Sequence, residues 1–387
     1  MNTLAARVKA IEPFHVMEIL ARAKALEASG RSIIHLEIGE PDFPTPAPII
    51  EAGLRAIAAG HTHYAPATGL PALRAAIAES YFPHASVDPR RVVVTPGSSG
   101  ALALVFAAIL NPGDEVLLAD PGYPCHRHFV HLFEGRAVMV PVTADTQYQL
   151  TPELIRQHWN ERTRAVLVAS PSNPTGTIVS NDGMRRLFET VRTLGGSLVA
   201  DEIYHGLTYD ADVKTALALG EDIFVVNSFS KYYGMTGWRV GWAVVPDAAV
   251  NALDKIAQNV FLATNTPAQH AALAAFGPET TKELERRRLI FRERRDYLLT
   301  ALREIGFKIP LAPSGAFYLY ADGSRFTNDS DALANAWLEQ AGVAVAPGKD
   351  FGTNAAARHL RFSYATTLDN LREGVTRIRG YLAPKST

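Results

Sequence analysis

The sequence predicts an α/β protein: a mostly parallel seven-stranded sheet flanked by helices, with a smaller α+β domain after it. Seven short apolar runs recur between residues 92 and 245, helix-length amphipathic stretches separate several of them, and the rhythm stops after Val245. The runs are Val92–Val94, Val116–Ala119, Ala137–Val140, Ala165–Ala169, Ser197–Ala200, Ile223–Val226 and Val240–Val245. Most are continuous rather than alternating, the pattern of strands covered on both faces. Ser180–Leu194 is long enough and amphipathic enough for a crossover helix. Beyond Val245, Pro267–Phe276 and Pro278–Ile305 read as helices. Six arginines between Arg286 and Arg295, offset by Glu283, Glu285 and Glu293, read as a solvated helix face rather than a nucleic-acid patch. From Phe307 to Tyr381, strands at Phe317–Tyr320, Val343–Ala346 and His359–Tyr364 alternate with helices at Asp331–Ala341 and Leu368–Tyr381.

Composition bounds the function. The chain has 387 residues, 47% hydrophobic and 20% charged, which at ~150 residues per domain is two or three domains' worth. Lys plus Arg number 38 against 39 Asp plus Glu, a net charge of -1. That balance argues against a nucleic-acid or membrane-surface partner, which would call for a basic excess. The single cysteine, Cys125, excludes an intrachain disulfide and a cysteine-rich metal site. Met1 to Val16 carries no apolar run before a cleavage site. The longest apolar run, Ala101–Leu110, is half of the ~20 residues a membrane span needs. A cytoplasmic protein is expected.

The residues able to do chemistry cluster just after the predicted strands. Asn173 follows Ala165–Ala169 in Ser-Pro-Ser-Asn-Pro-Thr-Gly, Asp201 ends Ser197–Ala200 with Tyr204 three residues on, and Lys231 follows Ile223–Val226 in Ser-Phe-Ser-Lys. In an open α/β sheet, ligands bind beyond the carboxyl ends of the strands, so these residues can converge. A lysine emerging from an apolar strand can be desolvated enough to lose its proton, and a neutral amine can form a Schiff base. A carboxylate on the same face can keep a heterocyclic nitrogen protonated, while a phenol and an amide hold an adjacent ring oxygen. Val92–Val94 runs into Thr-Pro-Gly-Ser-Ser-Gly and an apolar helix, so the N–H groups of Ser98, Ser99 and Gly100 would face an anion at a positive helix end. Arg239, in Gly-Met-Thr-Gly-Trp-Arg, adds a fixed fork for phosphate oxygens. Together these describe a pyridoxal 5′-phosphate site.

Over essentially its whole length the sequence resembles the class I and II aminotransferases of the fold-type I pyridoxal-phosphate enzymes. The resemblance rests on Asn227-Ser-Phe-Ser-Lys231 with Gly-Met-Thr-Gly-Trp-Arg239, on Pro171-Ser-Asn173-Pro-Thr-Gly and on Asp201-Glu-Ile-Tyr204. Gly39-Glu-Pro-Asp-Phe43 and Arg361-Phe-Ser-Tyr match as well, and the order of the motifs is the family's. The resemblance implies that Lys231 holds the cofactor as a Schiff base and then moves a proton at the substrate Cα. It implies that Asp201 pairs with the pyridine nitrogen, so that the ring accepts electrons. Asn173 and Tyr204 would bond the ring's phenolic oxygen, and Tyr123 would stack on the ring. Arg239, Ser228, Ser230 and the Ser98–Ser99 turn would hold the phosphate. Tyr64 would reach the phosphate of a neighbouring subunit, making the active unit a homodimer with shared sites. Arg361 would take the substrate's α-carboxylate in two parallel hydrogen bonds, with the N–H of Gly39 contributing. The expected domains are residues 1–45, an N-terminal segment of the small domain; 46–288, a large cofactor-binding domain; and 289–387, a small C-terminal domain.

Lysine base, electron sink and carboxylate clamp suit transamination, in which an L-α-amino acid gives its nitrogen to a 2-oxo acid such as 2-oxoglutarate or pyruvate. A C–S or β-lyase of the same fold and an aspartate-type aminotransferase are the alternatives. Acid-specific relatives carry an additional cation for the distal carboxylate, in one subgroup within the phosphate turn, where this chain has Ser99. Val16, expected to line the pocket, is apolar. A neutral aliphatic or aromatic donor is therefore expected. Ser228-Phe-Ser-Lys231 also matches the S-x-x-K of serine acyl-transferases, but the accompanying S-D-N and K-T-G elements are absent. A DNA-binding regulator built on this domain is not expected, because only 38 residues precede Gly39. No metal is expected: His126, His128 and His131 read as residues of the pocket mouth or the surface, and His205 as a support for Tyr204.

Overall fold

The computed structural model describes residues 4–383, so Met1–Thr3 and Pro384–Thr387, the ends of the expected first and last segments, lie outside the described residues. The first strands are β1 (Ile34–His35), β2 (Val92–Thr95), β3 (Glu115–Asp120) and β4 (Arg136–Pro141). They are followed by β5 (Thr163–Ala169), β6 (Ser197–Asp201), β7 (Ile223–Ser228) and β8 (Gly241–Val244). The last are β9 (Tyr318–Asp322), β10 (Val343–Ala344), β11 (Ala346–Pro347) and β12 (His359–Ser363).

The seven strands that the apolar runs predict form the central sheet, in the order β2-β8-β7-β6-β5-β3-β4. The runs are continuous because alternate residues enter different cores. Val94, Val166, Val168, Leu198, Ala200 and Val225 pack on one face. Val93, Ala165, Leu167, Val199, Phe224 and Val226 pack on the other, under the helix Gly97–Ile109 through Leu102, Val105 and Phe106. A strand with both faces covered has no use for the polar half of an alternating pattern.

Within this sheet all pairings are parallel except those of β8, which runs antiparallel to both β2 and β7. The segment from Phe229 to Val240 holds one turn of 3-10 helix, Thr236–Trp238, and no crossover helix, so the chain returns directly. The return therefore begins and ends at the same end of the sheet, beyond the carboxyl end of β7. Lys231 and Arg239, at its two ends, emerge side by side.

A second sheet, β11-β12-β9, is antiparallel and packs in its own apolar core with the long helix Pro278–Ile305 and the helix Leu368–Leu382. The expected strand Val343–Ala346 is two strands: β10 pairs with β1, and β11 pairs with β12. Its halves serve different sheets, and a run of four buried residues does not reveal that. The arginine-rich helix face also departs from expectation, since Arg287, Arg294 and Arg295 are buried. Arg294 forms a two-pronged pair with Asp42 at 2.7 and 3.0 Å, Arg287 donates to the Pro44 carbonyl, and Arg295 reaches Asp210. Both Arg287 and Arg294 lie over the Phe43 ring, at 5.1 and 4.9 Å. Long arginine stems bury well when their heads find partners, so charge alone misjudged this face. Among the described residues, no helix is long and apolar enough to cross a membrane.

The contact between β8 and the turn after β2 is close: a Cβ on Gly241 would sit 2.5 Å from Gly97 C and 2.6 Å from Ser98 N. Gly241→Ala is expected to cost about 1–3 kcal/mol by overpacking. Gly237→Ala, where a Cβ meets nothing within 4 Å, should stay within about 0.5 kcal/mol. Urea unfolding of the two variants checks the difference.

Candidate active site

The carboxyl ends of β5, β6 and β7 open into a cavity of about 290 Å³. Asn173, Asp201, Tyr204, Ser230 and Lys231 line it, as do Ser98, Ser99, Tyr123, Arg239, Arg361, Gly39 and Val16. Thus twelve of the residues singled out from the sequence meet at one place. Gly100 lies one residue further along the first turn of the helix Gly97–Ile109. Ser228 is buried behind the wall, its Oγ 2.9 Å from that of Ser230 and accepting the Ser230 N–H. Tyr64 is 83% exposed and does not line the cavity of its own chain.

Lys231 Nζ donates to the Gly39 carbonyl at 2.7 Å. Desolvation lowers its amine from 10.5 to about 8; Glu40 opposes the shift, and the nearby charges of Arg239 and Arg361 add to it. Gly39 is held in turn by its own motif, because Asp42 and Phe43 are the anchors gripped by Arg294 and Arg287. Sequence reading assigned the motif to the site; two of its five residues act as its foundation.

Close by, Ser98, Ser99 and Arg239 bring N–H groups and a guanidinium together. Gly97 adopts a positive φ of 69°, and a Cβ there would collide with Arg239 Nη2. The arginine can lie against the turn because glycine leaves that space empty. The arrangement suits a dianion at the start of a 13-residue helix.

Asp201 accepts from Ile203 N at 3.1 Å through Oδ1 and lies 2.8 Å from His126 Nε2 through Oδ2. His126 is buried, which corrects the expectation that this histidine belongs to the pocket mouth or the surface. Beside a carboxylate, Nε2 is the protonated nitrogen, so His126 fixes the orientation of Asp201. The early-helix position of His126, two residues after Pro124, was the only available signal. The His126 ring also meets the edge of Tyr123 at 5.2 Å.

Arg361 is 1% exposed, and among the described residues no carboxylate pairs with it. Nη1 donates to Asn173 Oδ1 at 3.0 Å, Nη2 donates to the Glu37 carbonyl, and Nε has no partner. Its guanidinium lies 4.3 Å from the Tyr318 ring centroid and 4.8 Å from that of Phe351. Tyr204 bonds the Tyr318 hydroxyl at 2.9 Å, and burial pushes the Tyr204 phenol well above its ordinary value. A cation stripped of water and left without a counter-ion is a ready receptor for an anion.

The remaining wall is mostly apolar, with Glu40 and Thr236 its polar members. Phe14, Val16, Met17 and Leu20, all at the start of helix α1 (His15–Ala28), line it together with Ile38, Leu102 and Phe129.

The model of the family Aminotransferase class I and II matches residues 31–378. The chain is 36% identical over 376 residues to the valine–pyruvate aminotransferase of Mycobacterium tuberculosis, covering 96% of this chain and 97% of that one. It is 37% identical over 382 residues to the aspartate/prephenate aminotransferase of Thermus thermophilus, covering 97% and 98%. Its fold superposes on the crystal structure of an aminotransferase from Mycobacterium tuberculosis with a TM-score of 0.95, at 36% identity and 99% coverage of both chains.

The depressed Lys231 pKa has a thermodynamic consequence. Its folded-state value lies below the unfolded one, so between about 8 and 10.5 the unfolded chain binds more protons and stability rises with pH. In the ligand-free protein, Lys231→Met should therefore be more stable than the parent at pH 7 by about 1–3 kcal/mol. The gap should close as pH rises through 8 towards 10.5. Denaturant midpoints across that range check it; a gap independent of pH would contradict the assignment.

Proposed function

Since the chain belongs to the class I and II aminotransferase family, we propose that its donor is a neutral aliphatic or aromatic L-α-amino acid and its acceptor a 2-oxo acid such as 2-oxoglutarate or pyruvate. The protein is a transaminase. In this reading its cofactor is pyridoxal 5′-phosphate and its working unit a cytoplasmic homodimer with shared sites. The observation that carries it is the buried, unpaired Arg361 sharing one cavity with a lysine whose amine sheds its proton near pH 8.

The donor set fits a phosphorylated pyridine. Asp201, braced by His126, supports a proton on a ring nitrogen. The Ser98–Ser99 turn, Ser230 and Arg239 supply the positive cradle a phosphate needs, with Gly100 and Ser228 shaping it from behind. Asn173 and Tyr204 offer an amide and a phenol, and Tyr123 offers an aromatic face. When bound, the cofactor supplies an electron sink for charge developing at the substrate Cα.

The chain's own residues do the rest. Arg361 binds the α-carboxylate through its fork, and its hydrogen bond to Asn173 Oδ1 together with the two aromatic faces holds that fork still. Lys231 Nζ, once deprotonated and released from the Gly39 carbonyl, accepts the proton from Cα and returns it elsewhere on the reacting framework. Gly39 N–H is available to the same carboxylate. For the donor's side chain, the decisive fact is the shortage of a spare cation. Among the described residues, only Lys231, Arg239 and Arg361 bring a lysine or arginine to the cavity, and each already has a task. The names of the relatives span neutral and acidic amino acids, so this apolar wall supports the choice of donor.

A yellow protein whose visible band shifts on adding donor, and which loses that response in Lys231→Ala, is expected. Leucine or phenylalanine should exceed aspartate in kcat/KM by about tenfold or more, scored by oxo-acid product. Aspartate or glutamate as best donor would overturn the neutral assignment, and elimination products would indicate a lyase. Mixing inactive Tyr64→Ala and Lys231→Ala subunits should restore up to about a quarter of native activity, because half the dimers then hold one complete site. No recovery on mixing argues against shared sites.

A further inference from the structure

Helix α1 begins without a cap of its own. Phe14 occupies the N-cap position and offers no side-chain hydrogen bond, so the first N–H groups need a partner from elsewhere. Asp350 supplies it across 334 residues of chain: Oδ1 accepts from His15 N at 3.0 Å and Oδ2 from Val16 N at 2.9 Å. Asp350 is 1% exposed. Burial raises its carboxyl above the ordinary range, opposed by the His15 charge, by the two N–H groups and by Arg361. A buried carboxylate with no salt-bridge partner is costly unless hydrogen bonds and a helix dipole compensate it, and here both come from α1.

The location of this carboxylate matters more than its cost. Asp350 and Phe351 share the one-turn 3-10 helix Gly348–Phe351. Phe351 lies against the guanidinium of Arg361, and Asp350 holds α1. The turn is itself pressed onto the start of β12, since a Cβ on Gly348 would collide with the Ala356 carbonyl oxygen and lie 2.7 Å from that of His359. Val16 packs in one small core with Tyr320, Ala346 and Phe351. Val16 and Leu20, one helical turn apart, both face the cavity.

We propose that Asp350 is a positioning residue for donor selectivity: by capping α1 it fixes the Val16–Leu20 face at a set distance from the Arg361 carboxylate clamp. One rigid turn thereby registers both ends of the substrate, the carboxylate through Phe351 and the side chain through Asp350. The inference rests on the reading of this cavity as the donor site. It makes the wall's placement, as well as its apolar character, the determinant of which side chains are accepted.

The test uses the full-length holoenzyme, with Asp350→Asn, which keeps the shape but only one acceptor, and Asp350→Ala, which removes both. Alanine, valine, leucine and phenylalanine are compared with a common acceptor. KM for leucine and phenylalanine should rise about tenfold in Asp350→Ala, with kcat changed less than about threefold and the alanine reaction nearly unaffected. Asp350→Asn should fall between. Hydrogen exchange at the His15 and Val16 amides should accelerate about tenfold or more, while strand β6 keeps its protection. Equal losses for every donor, alanine included, or unchanged exchange at α1 would overturn the proposal. Should Asp350→Ala fail to fold, Asp350→Asn carries both readouts. If the parent enzyme turns over no neutral donor, the substrate assignment falls, and the exchange measurement still decides whether Asp350 holds α1.

Discussion

A buried guanidinium without a carboxylate organises this molecule. Removing a charge from water costs several kcal/mol even after a protein relaxes around it. Arg361 recovers part of that from the Asn173 amide oxygen, the Glu37 carbonyl and two aromatic faces, each cation–π contact worth about 0.5–2 kcal/mol. The remainder is available to an arriving anion. The central position of β12 in its sheet, the aromatic residues at 318 and 351 and the docking of the Glu37 backbone are what keep that cation in place.

The opposite half of the site depends on a topological detail. If the connection from β7 to β8 carried a crossover helix, Lys231 and Arg239 would be free to diverge. The direct antiparallel return puts both at one end of the strands, and the missing side chain of Gly97 lets Arg239 lie on the helix start. The cavity is therefore built from two parts, a sheet end that brings Lys231 and Arg239 and a smaller sheet that brings Arg361.

Much of this was legible beforehand, for identifiable reasons. Asp201, Asn173 and Lys231 each stand within five residues of the end of an apolar run, and strand ends in a parallel sheet converge, so local pattern sufficed to bring them together. His126 was missed because its partner, Asp201, is 75 residues away and nothing in a histidine's neighbours announces a buried carboxylate. The arginines of the long helix were misjudged for a similar reason: Glu283 and Glu285 explain Arg286 and Arg288 locally, while Arg294 answers to Asp42, 252 residues distant. Val343–Ala346 read as one strand because burial is uniform along it, although pairing is not.

The sequence by itself determined the α/β architecture and the chemical types at the strand ends, because apolar period and residue identity are local properties. Only the tertiary structure decided what those residues face. It left Arg361 without a counter-ion, lowered the Lys231 amine by burial, seated His126 on Asp201 and assigned Asp350 to the N-terminus of α1. Each of these depends on groups brought together from far along the chain, and solvation and field at a point are set by everything around it.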